Sequence, residues 1–353
     1  MMFVGIMEKS VEKRSVTILG AGSWGLTLAH LWCHSGRPVT VYCRNHAGAL
    51  KLTTTRLMEK PRAHHIPSEV VITSSLEEAL SNTDLVVFAC NSQSMRELAT
   101  AVAAILLAPV AAGNSSNSRL SLPVLVSATK GLELGTQLRM SEILTAVVPG
   151  CGVASLSGPN LADEVLGGLP TASVVASTDI NLARSLQSQL SAPKFRVYAS
   201  DDPVGIELGG TLKNVIAIAA GACDGLSLGV NAKASLLTRG LAEITRLAVR
   251  LGAKPQTMAG LAGMGDLFAT CSGPLSRNYR VGFELARGKA LALILEELGS
   301  VAEGVPTAEA VCELSQRLGL ELPIAEQVES TLKGNSTPAG AIMALLSRPL
   351  ASE

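Results

Sequence analysis

Two lysines occupy positions that packing alone does not explain. Lys130 follows the apolar run Val124–Ser127 directly, in Ala128-Thr129-Lys130-Gly131-Leu132-Glu133. Lys213 lies within Gly209-Gly210-Thr211-Leu212-Lys213-Asn214-Val215-Ile216-Ala217, an otherwise apolar helical stretch. Burying an ammonium is costly unless it is paired or serves a site, and burial lowers its pKa toward neutrality, where it can exchange a proton. For either lysine alone, a stem lying along apolar surface with its head in water is the competing reading. A third cluster is Gly263-Met264-Gly265-Asp266-Leu267, followed by Ser276-Arg277-Asn278. Asp266, in a Gly-rich apolar setting, could bond a substrate hydroxyl or orient Lys213. Arg277, after a Gly-Pro turn and near a helix start, can fork onto phosphate with local N–H groups. A plain helix capped by Ser276 is the alternative there. Ser157-Gly158-Pro159-Asn160 marks a further strand-to-helix junction.

Histidine is the usual proton donor, yet all five (30, 34, 46, 64 and 65) precede residue 66. They fall in the first half of the nucleotide-binding pattern described next, away from the crevice at the carboxyl ends of its strands. His30 and His34 have i,i+4 spacing, but a metal would need further ligands, so they read as helix-surface residues and no metal is expected. The proton donor is expected to be Lys or Tyr.

The first apolar run, Val16–Leu19, leads straight into Gly20-Ala21-Gly22-Ser23-Trp24-Gly25, a GxGxxG that opens a helix. Gly20 permits the tight turn, Gly22 lets backbone approach a pyrophosphate, and Gly25 allows close helix–strand packing. The helix N-terminus then offers N–H donors to the phosphates. Strand, loop, helix and next strand together point to a dinucleotide. An acid at the end of the second strand would bond an NAD ribose. Here the strand ends Tyr42-Cys43-Arg44-Asn45, with no acid. Arg44 could pair with a 2′-phosphate, so NADPH is the expected cofactor and NADH a possible one; a solvent-facing Arg is the alternative.

These motifs sit on a regular alternation. Strands are expected at Val16–Leu19, Val39–Cys43, Val70–Thr73, Leu85–Ala89, Val124–Ser127, Val153–Ser157, Ala172–Ala176 and Arg196–Tyr198. Helices are expected between them, notably Gly25–Gly36, Ser75–Leu80 and Met95–Leu107. Continuous Val/Ile/Leu strands alternating with helices predict a doubly wound α/β sheet covered on both faces. After about Asp202 only helical spacing remains, at Val204–Cys223, Ala232–Leu251, Arg277–Gly288, Thr307–Leu318, Ile324–Lys333 and Pro338–Leu346. The expected organisation is an extension over 1–15, a Rossmann-like dinucleotide-binding domain over 16–200 and an all-helical substrate and dimerisation domain over 201–353. Ala111–Leu122 reads as a polar surface loop.

Composition narrows the class. The 353 residues carry 29 Lys+Arg against 29 Asp+Glu, so no general basic field exists to attract nucleic acid or an anionic membrane. An anionic substrate must be held by a few local cations. With 47% hydrophobic residues the chain can fold rather than stay disordered. No apolar stretch looks long enough to span a bilayer; the longest, Ala101–Ala112, is short and interrupted by Pro109. The opening MMFVGIM lacks the marks of a signal peptide. Seven scattered cysteines without a CxxC fit reduced thiols, and a cytoplasmic location is expected.

Taken in order, GAGSWG, ATKGLE, SGPN, GGTLKNVIAIAAG, NAKASLLTRGLAE, AGMGDL, SRN and VAEG make the chain resemble bacterial-type NAD(P)-dependent glycerol-3-phosphate dehydrogenase from about Val16 to Leu346. The resemblance implies reversible reduction of dihydroxyacetone phosphate to sn-glycerol 3-phosphate, supplying phospholipid synthesis, by a homodimer. It also implies roles by motif. Lys213 is the proton donor and acceptor, and Lys130 contacts cofactor and substrate. Gly158, Asn160, Asp266, Ser276, Arg277 and Asn278 look like substrate positions. Ser23, Trp24, Arg44, Ala162, Arg277, Val301 and Glu303 look like cofactor positions. Gly209 and Gly210 would leave room near Lys213 for substrate or nicotinamide. The rival readings are another lysine-dependent NADP reductase, of 3-hydroxyacid dehydrogenase or ketopantoate reductase type, and a non-catalytic NADP sensor. In those reductases the Lys and an Asn stand a helical turn apart, whereas Lys213 and Asn214 are adjacent.

Overall fold

The computed structural model describes residues 14–108 and 122–348. The N-terminal segment before residue 14 and nearly all of the 111–122 loop lie outside the described residues, as do Pro109 and the end of the Ala101–Ala112 run.

Strands β1 (Val16–Leu19), β2 (Val39–Tyr42), β5 (Val71–Thr73), β6 (Leu85–Phe88), β7 (Val124–Ser127), β8 (Val153–Ser157), β9 (Thr171–Ala176) and β10 (Phe195–Ser200) form one sheet in the order β10-β9-β8-β7-β6-β1-β2-β5. Between β2 and β5 the chain makes a two-stranded excursion, β3 (Leu57–Met58) and β4 (His64–His65). Helices α1 (Ser23–His34), α2 (His46–Thr55), α3 (Leu76–Leu80), α4 (Met95–Leu106), α5 (Met140–Val147), α6 (Ala162–Leu166) and α7 (Ile180–Leu190) connect the strands. Residues alternate between faces along each strand. Ile18, Val87 and Val126 therefore join one core with Leu28 and Trp32 of α1, while Leu19, Val86, Phe88 and Leu125 join another with Met95 and Val102 of α4. This is the doubly covered sheet that the apolar strands predict. Two strands differ: β9 pairs antiparallel to β8, and β10 pairs parallel to β9, so both run opposite to the other six, a direction that the residues of a strand do not mark.

After Ser200 the described residues form no strand. Helix α8 (Pro203–Gly225) is capped by Asp202, whose carboxylate accepts from Gly205 N, with Pro203 in the first turn. Around it lie α9 (Gly229–Arg250), α10 (Pro255–Met258), α11 (Asp266–Cys271), α12 (Arg277–Ala286), α13 (Leu291–Leu298), α14 (Gly304–Leu318), α15 (Pro323–Leu332) and α16 (Pro338–Leu346). By length and composition α8 could cross a bilayer, which corrects the sequence-based view that no stretch approaches this. Its apolar window is 89% buried inside the protein, as befits the central helix of a bundle.

The histidines also need correction. His30 is half-buried rather than on the helix surface, its ring 4.1 Å from that of His34 and 4.5 Å from that of His64 on β4. Burial, with His34 and His64 nearby, holds it down at about 4, so it is uncharged at neutral pH. No group of three or more His, Cys, Asp or Glu among the described residues is placed to hold a metal.

Candidate active site

The glycine loop is built for close approach. Gly20 has φ +130°, and a side chain there would strike the Ala89 carbonyl at 2.5 Å, where β1 and β6 part. A Cβ on Gly25 would sit 1.9 Å from the Gly20 carbonyl, so α1 can start here only without one. Gly22 is different: nothing lies within 4 Å of its Cβ position, leaving open space before the N-terminus of α1, at Ser23 and Trp24. The loop bends at Gly20, packs at Gly25 and is bare at Gly22, which fits a pyrophosphate set against free N–H groups. Arg44 follows β2, mostly exposed, with Glu97 its nearest carboxylate at 3.8 Å.

The two lysines meet on one carboxylate. Asp266 opens α11, after a π-helical segment at Leu261–Gly265, and is 1% exposed. Its Oδ2 accepts from Lys130 Nζ at 2.5 Å, and its Oδ1 accepts from Lys213 Nζ. Lys130 Nζ also donates to the Gly158 carbonyl at 2.9 Å, and Lys213 Nζ donates to Thr270 Oγ1 at 2.6 Å. Burial lowers Lys213 from its ordinary value to about 7; the Asp266 charge opposes the drop, and the Lys130 charge adds to it. Two ammoniums share one carboxylate, so with both protonated the cluster carries a net positive charge. That charge suits an oxygen that turns anionic during reaction.

The bare faces of Gly209 and Gly210 do not leave room for a ligand. A Cβ on Gly209 would meet the Ala262 carbonyl at 2.5 Å, and one on Gly210 would meet Ser157 Oγ at 2.3 Å and the Lys130 stem at 3.4 Å. Those glycines admit the polypeptide itself, bringing Lys130 across α8 to Asp266. Beside them, Ser157 Oγ and Asn160 Oδ1 are buried with no hydrogen-bond partner, while Asn160 Nδ2 donates to Ser173 Oγ. Such orphaned acceptors mark a place where a polar ligand would find bonds.

The remaining residues form two further groups. Ser276 caps α12 by accepting from Tyr279 N, leaving the N–H groups of Arg277 and Asn278 without an intrahelical partner. The Arg277 side chain makes no hydrogen bond or ion pair with the described residues. Asn278 behaves otherwise than expected of a phosphate ligand: its Nδ2 donates to Asn214 Oδ1 at 2.9 Å and its Oδ1 accepts from Gly304 N at 2.9 Å. Its side chain ties α8 to α14. Glu303, just before α14, accepts from both N and Oγ of Ser92 in the sheet domain. Burial pushes its carboxyl up, against those bonds and the charge of Arg277. Val301 is 39% exposed two residues earlier, and Ala162 begins α6.

Sequence reasoning missed Thr270, Ser92 and the Asn214–Asn278 bridge. The i,i+4 spacing of Asp266 and Thr270 was a usable signal, but only with a helix assigned at 266–271. Ser92 has no local signal at all.

Comparison with known proteins agrees with the sequence motifs. Residues 15–183 match the family model described as NAD-dependent glycerol-3-phosphate dehydrogenase N-terminus, and 202–343 match its C-terminus. A relative from Geobacter sulfurreducens named glycerol-3-phosphate dehydrogenase [NAD(P)+] is 44% identical, covering 96% of this chain and 98% of its own. One of the same name from a Synechococcus strain is 43% identical, with 98% of each chain covered. Among solved structures, glycerol-3-phosphate dehydrogenase from Coxiella burnetii superposes with a TM-score of 0.87 at 32% identity, over 95% of this chain and 99% of that one. A ketopantoate reductase from Ralstonia eutropha, at 18% identity and a TM-score of 0.56, shares the fold alone.

Proposed function

The chain belongs to the NAD-dependent glycerol-3-phosphate dehydrogenase family, and from that premise we propose that it reduces dihydroxyacetone phosphate to sn-glycerol 3-phosphate, reversibly, with NADPH preferred over NADH. The observation that carries this reading is the Lys213–Asp266–Lys130 cluster, in which Lys130 follows strand β7 of the sheet while Lys213 and Asp266 belong to helices α8 and α11. The bound nicotinamide supplies the hydride to the substrate carbonyl.

The protein's own groups do the rest. Lys213, brought to about 7, holds a proton that it can give to the developing alkoxide and take back in the reverse direction. Lys130 adds positive potential beside that oxygen, and Asp266 holds both lysines toward one point with Thr270. Arg277 and the free N–H groups at the start of α12 would bind the substrate phosphate, fixing the carbonyl and contributing remote binding energy. Asn278 acts here through its backbone N–H, since its side chain is engaged elsewhere. Gly158 and Asn160 line the substrate side. Gly20, Gly22, Ser23, Trp24 and Gly25 would hold the pyrophosphate end of the cofactor, Arg44 its 2′-phosphate, and Ala162, Val301 and Glu303 the rest. The proposal extends to glycerophospholipid supply as the role, the cytoplasm as the location and a homodimer as the assembly. Exposed apolar residues in the helical half, including Val230 and Phe268, support pairing with a second copy.

The test follows oxidation of NADPH and of NADH with dihydroxyacetone phosphate beside unphosphorylated dihydroxyacetone. Turnover that requires the phosphate supports the reading. Equal turnover of both ketones, or none with NADPH bound, overturns it.

A further inference from the structure

The loop that carries Lys130 is gripped by α8 at both of its ends. It leaves β7, passes Lys130 and Gly131, and returns so that Leu132 pairs with Arg139 in an antiparallel bridge. At the outgoing end Gly131 N donates to Thr211 Oγ1 at 3.0 Å, with Thr211 1% exposed. At the returning end Glu207, 7% exposed, accepts three bonds through its two oxygens. Arg139 Nη1 reaches Oε2 at 2.5 Å, Ser141 Oγ reaches Oε2 at 2.5 Å, and Ser141 N reaches Oε1 at 2.9 Å. Glu207, Thr211 and Lys213 all belong to α8. Through the Leu132–Arg139 bridge, the Glu207 grip acts two residues away from Lys130.

We infer that Glu207, supported by Thr211, is a positioning residue that sets Lys130 against Lys213 across Asp266. This deepens the proposed reduction and rests on it. A carboxylate so buried and so fully bonded fixes its partners far more tightly than a surface pair would. Without it, Arg139 and Ser141 lose their anchor and the loop can drift, carrying the Lys130 ammonium off the Gly158 carbonyl and Asp266. Errors on the order of 1 Å at a reacting centre can lower rates about a hundredfold.

The experiment is a double-mutant cycle of Glu207→Gln with Lys130→Met, read as kcat and as the pH profile of kcat/KM. Groups that act through one another are non-additive. Glu207→Gln should lower kcat about tenfold in the wild-type background and less than about twofold when Lys130 is already absent. Because the Lys130 charge depresses Lys213, Glu207→Gln should also move the Lys213 titration upward, with no further move in the Lys130→Met background. Equal losses in both backgrounds, or an unmoved titration, would make Glu207 merely structural and overturn the inference. If Glu207→Gln does not fold, Ser141→Ala removes one bond of the grip and enters the same cycle with the same two outcomes. Wild-type turnover, measured alongside, fails separately if the substrate assignment is wrong.

Discussion

Replacing Asp266 by Asn keeps the shape of the side chain and removes the one negative charge between Lys213 and Lys130. In the wild type, burial has already brought Lys213 down to about 7, and Asp266 is the principal force holding it from falling further. A carboxylate in contact with an ammonium is worth about one to three pKa units. The smallest of these moves Lys213 to about 6, a difference of about 1.4 kcal/mol between its two protonation states. The sign follows from the chemistry. Lys213 must be protonated to donate, so reduction falls as pH rises through its pKa. At pH 7.5 the protonated fraction then drops from about a quarter to about 3%, an eightfold loss, whereas at pH 5.5 the loss is only about 1.3-fold. The assay is kcat/KM for dihydroxyacetone phosphate against pH, which reports groups of the free enzyme. Asp266→Asn should retain NADPH binding and show its falling limb at least one unit lower. Superimposable profiles would refute the claim that Asp266 holds the proton on Lys213.

Other residues give narrower tests. Arg44→Ala should weaken NADPH about ten- to a hundredfold, the worth of a charged hydrogen bond, while leaving NADH unchanged in the same KM measurements. Gly22→Ala should keep its melting temperature but lose cofactor affinity, because its Cβ enters open space; Gly25→Ala, whose Cβ meets the Gly20 carbonyl, should lose stability in a thermal melt. Arg277→Gln should raise KM for dihydroxyacetone phosphate at least tenfold, and leave the residual rate with unphosphorylated dihydroxyacetone unchanged.

What the sequence revealed and what it hid divide along physical lines. Strands such as Leu85–Phe88 were visible because both of their faces are buried and every residue is apolar. Nothing in either strand's residues showed that β9 and β10 run opposite to the rest of the sheet. Lys213 stood out because charge is rare in an apolar helix, and Asp266 because nothing in its setting required an acid. That Asp266 could orient Lys213 was legible, and the two do meet; that Lys130, from a third element, shares the same carboxylate was not. The six-residue α11 follows a π-helical turn and is too short to show a period, so Thr270 went unseen. Two-residue strands such as β4 carry no pattern either, which is why His64 beside His30 came as a correction. Gly209 and Gly210 suggested room for a ligand, but a missing side chain does not say what fills its place, and here it is Ala262, Ser157 and Lys130.

The central claim is that Lys213 carries the proton, and Lys213→Met tests it most directly. The wild type buries an ammonium whose pKa is depressed, so the lysine opposes folding in full below about pH 7 and progressively less as pH rises toward its unfolded value. Removing it should therefore leave the melting temperature at pH 7.5 unchanged or higher, with NADPH binding within about twofold of wild type. Turnover of dihydroxyacetone phosphate should fall by about 10²–10⁴-fold, the usual worth of a general acid. A folded, NADPH-binding Lys213→Met protein that turns over within tenfold of wild type would contradict the account.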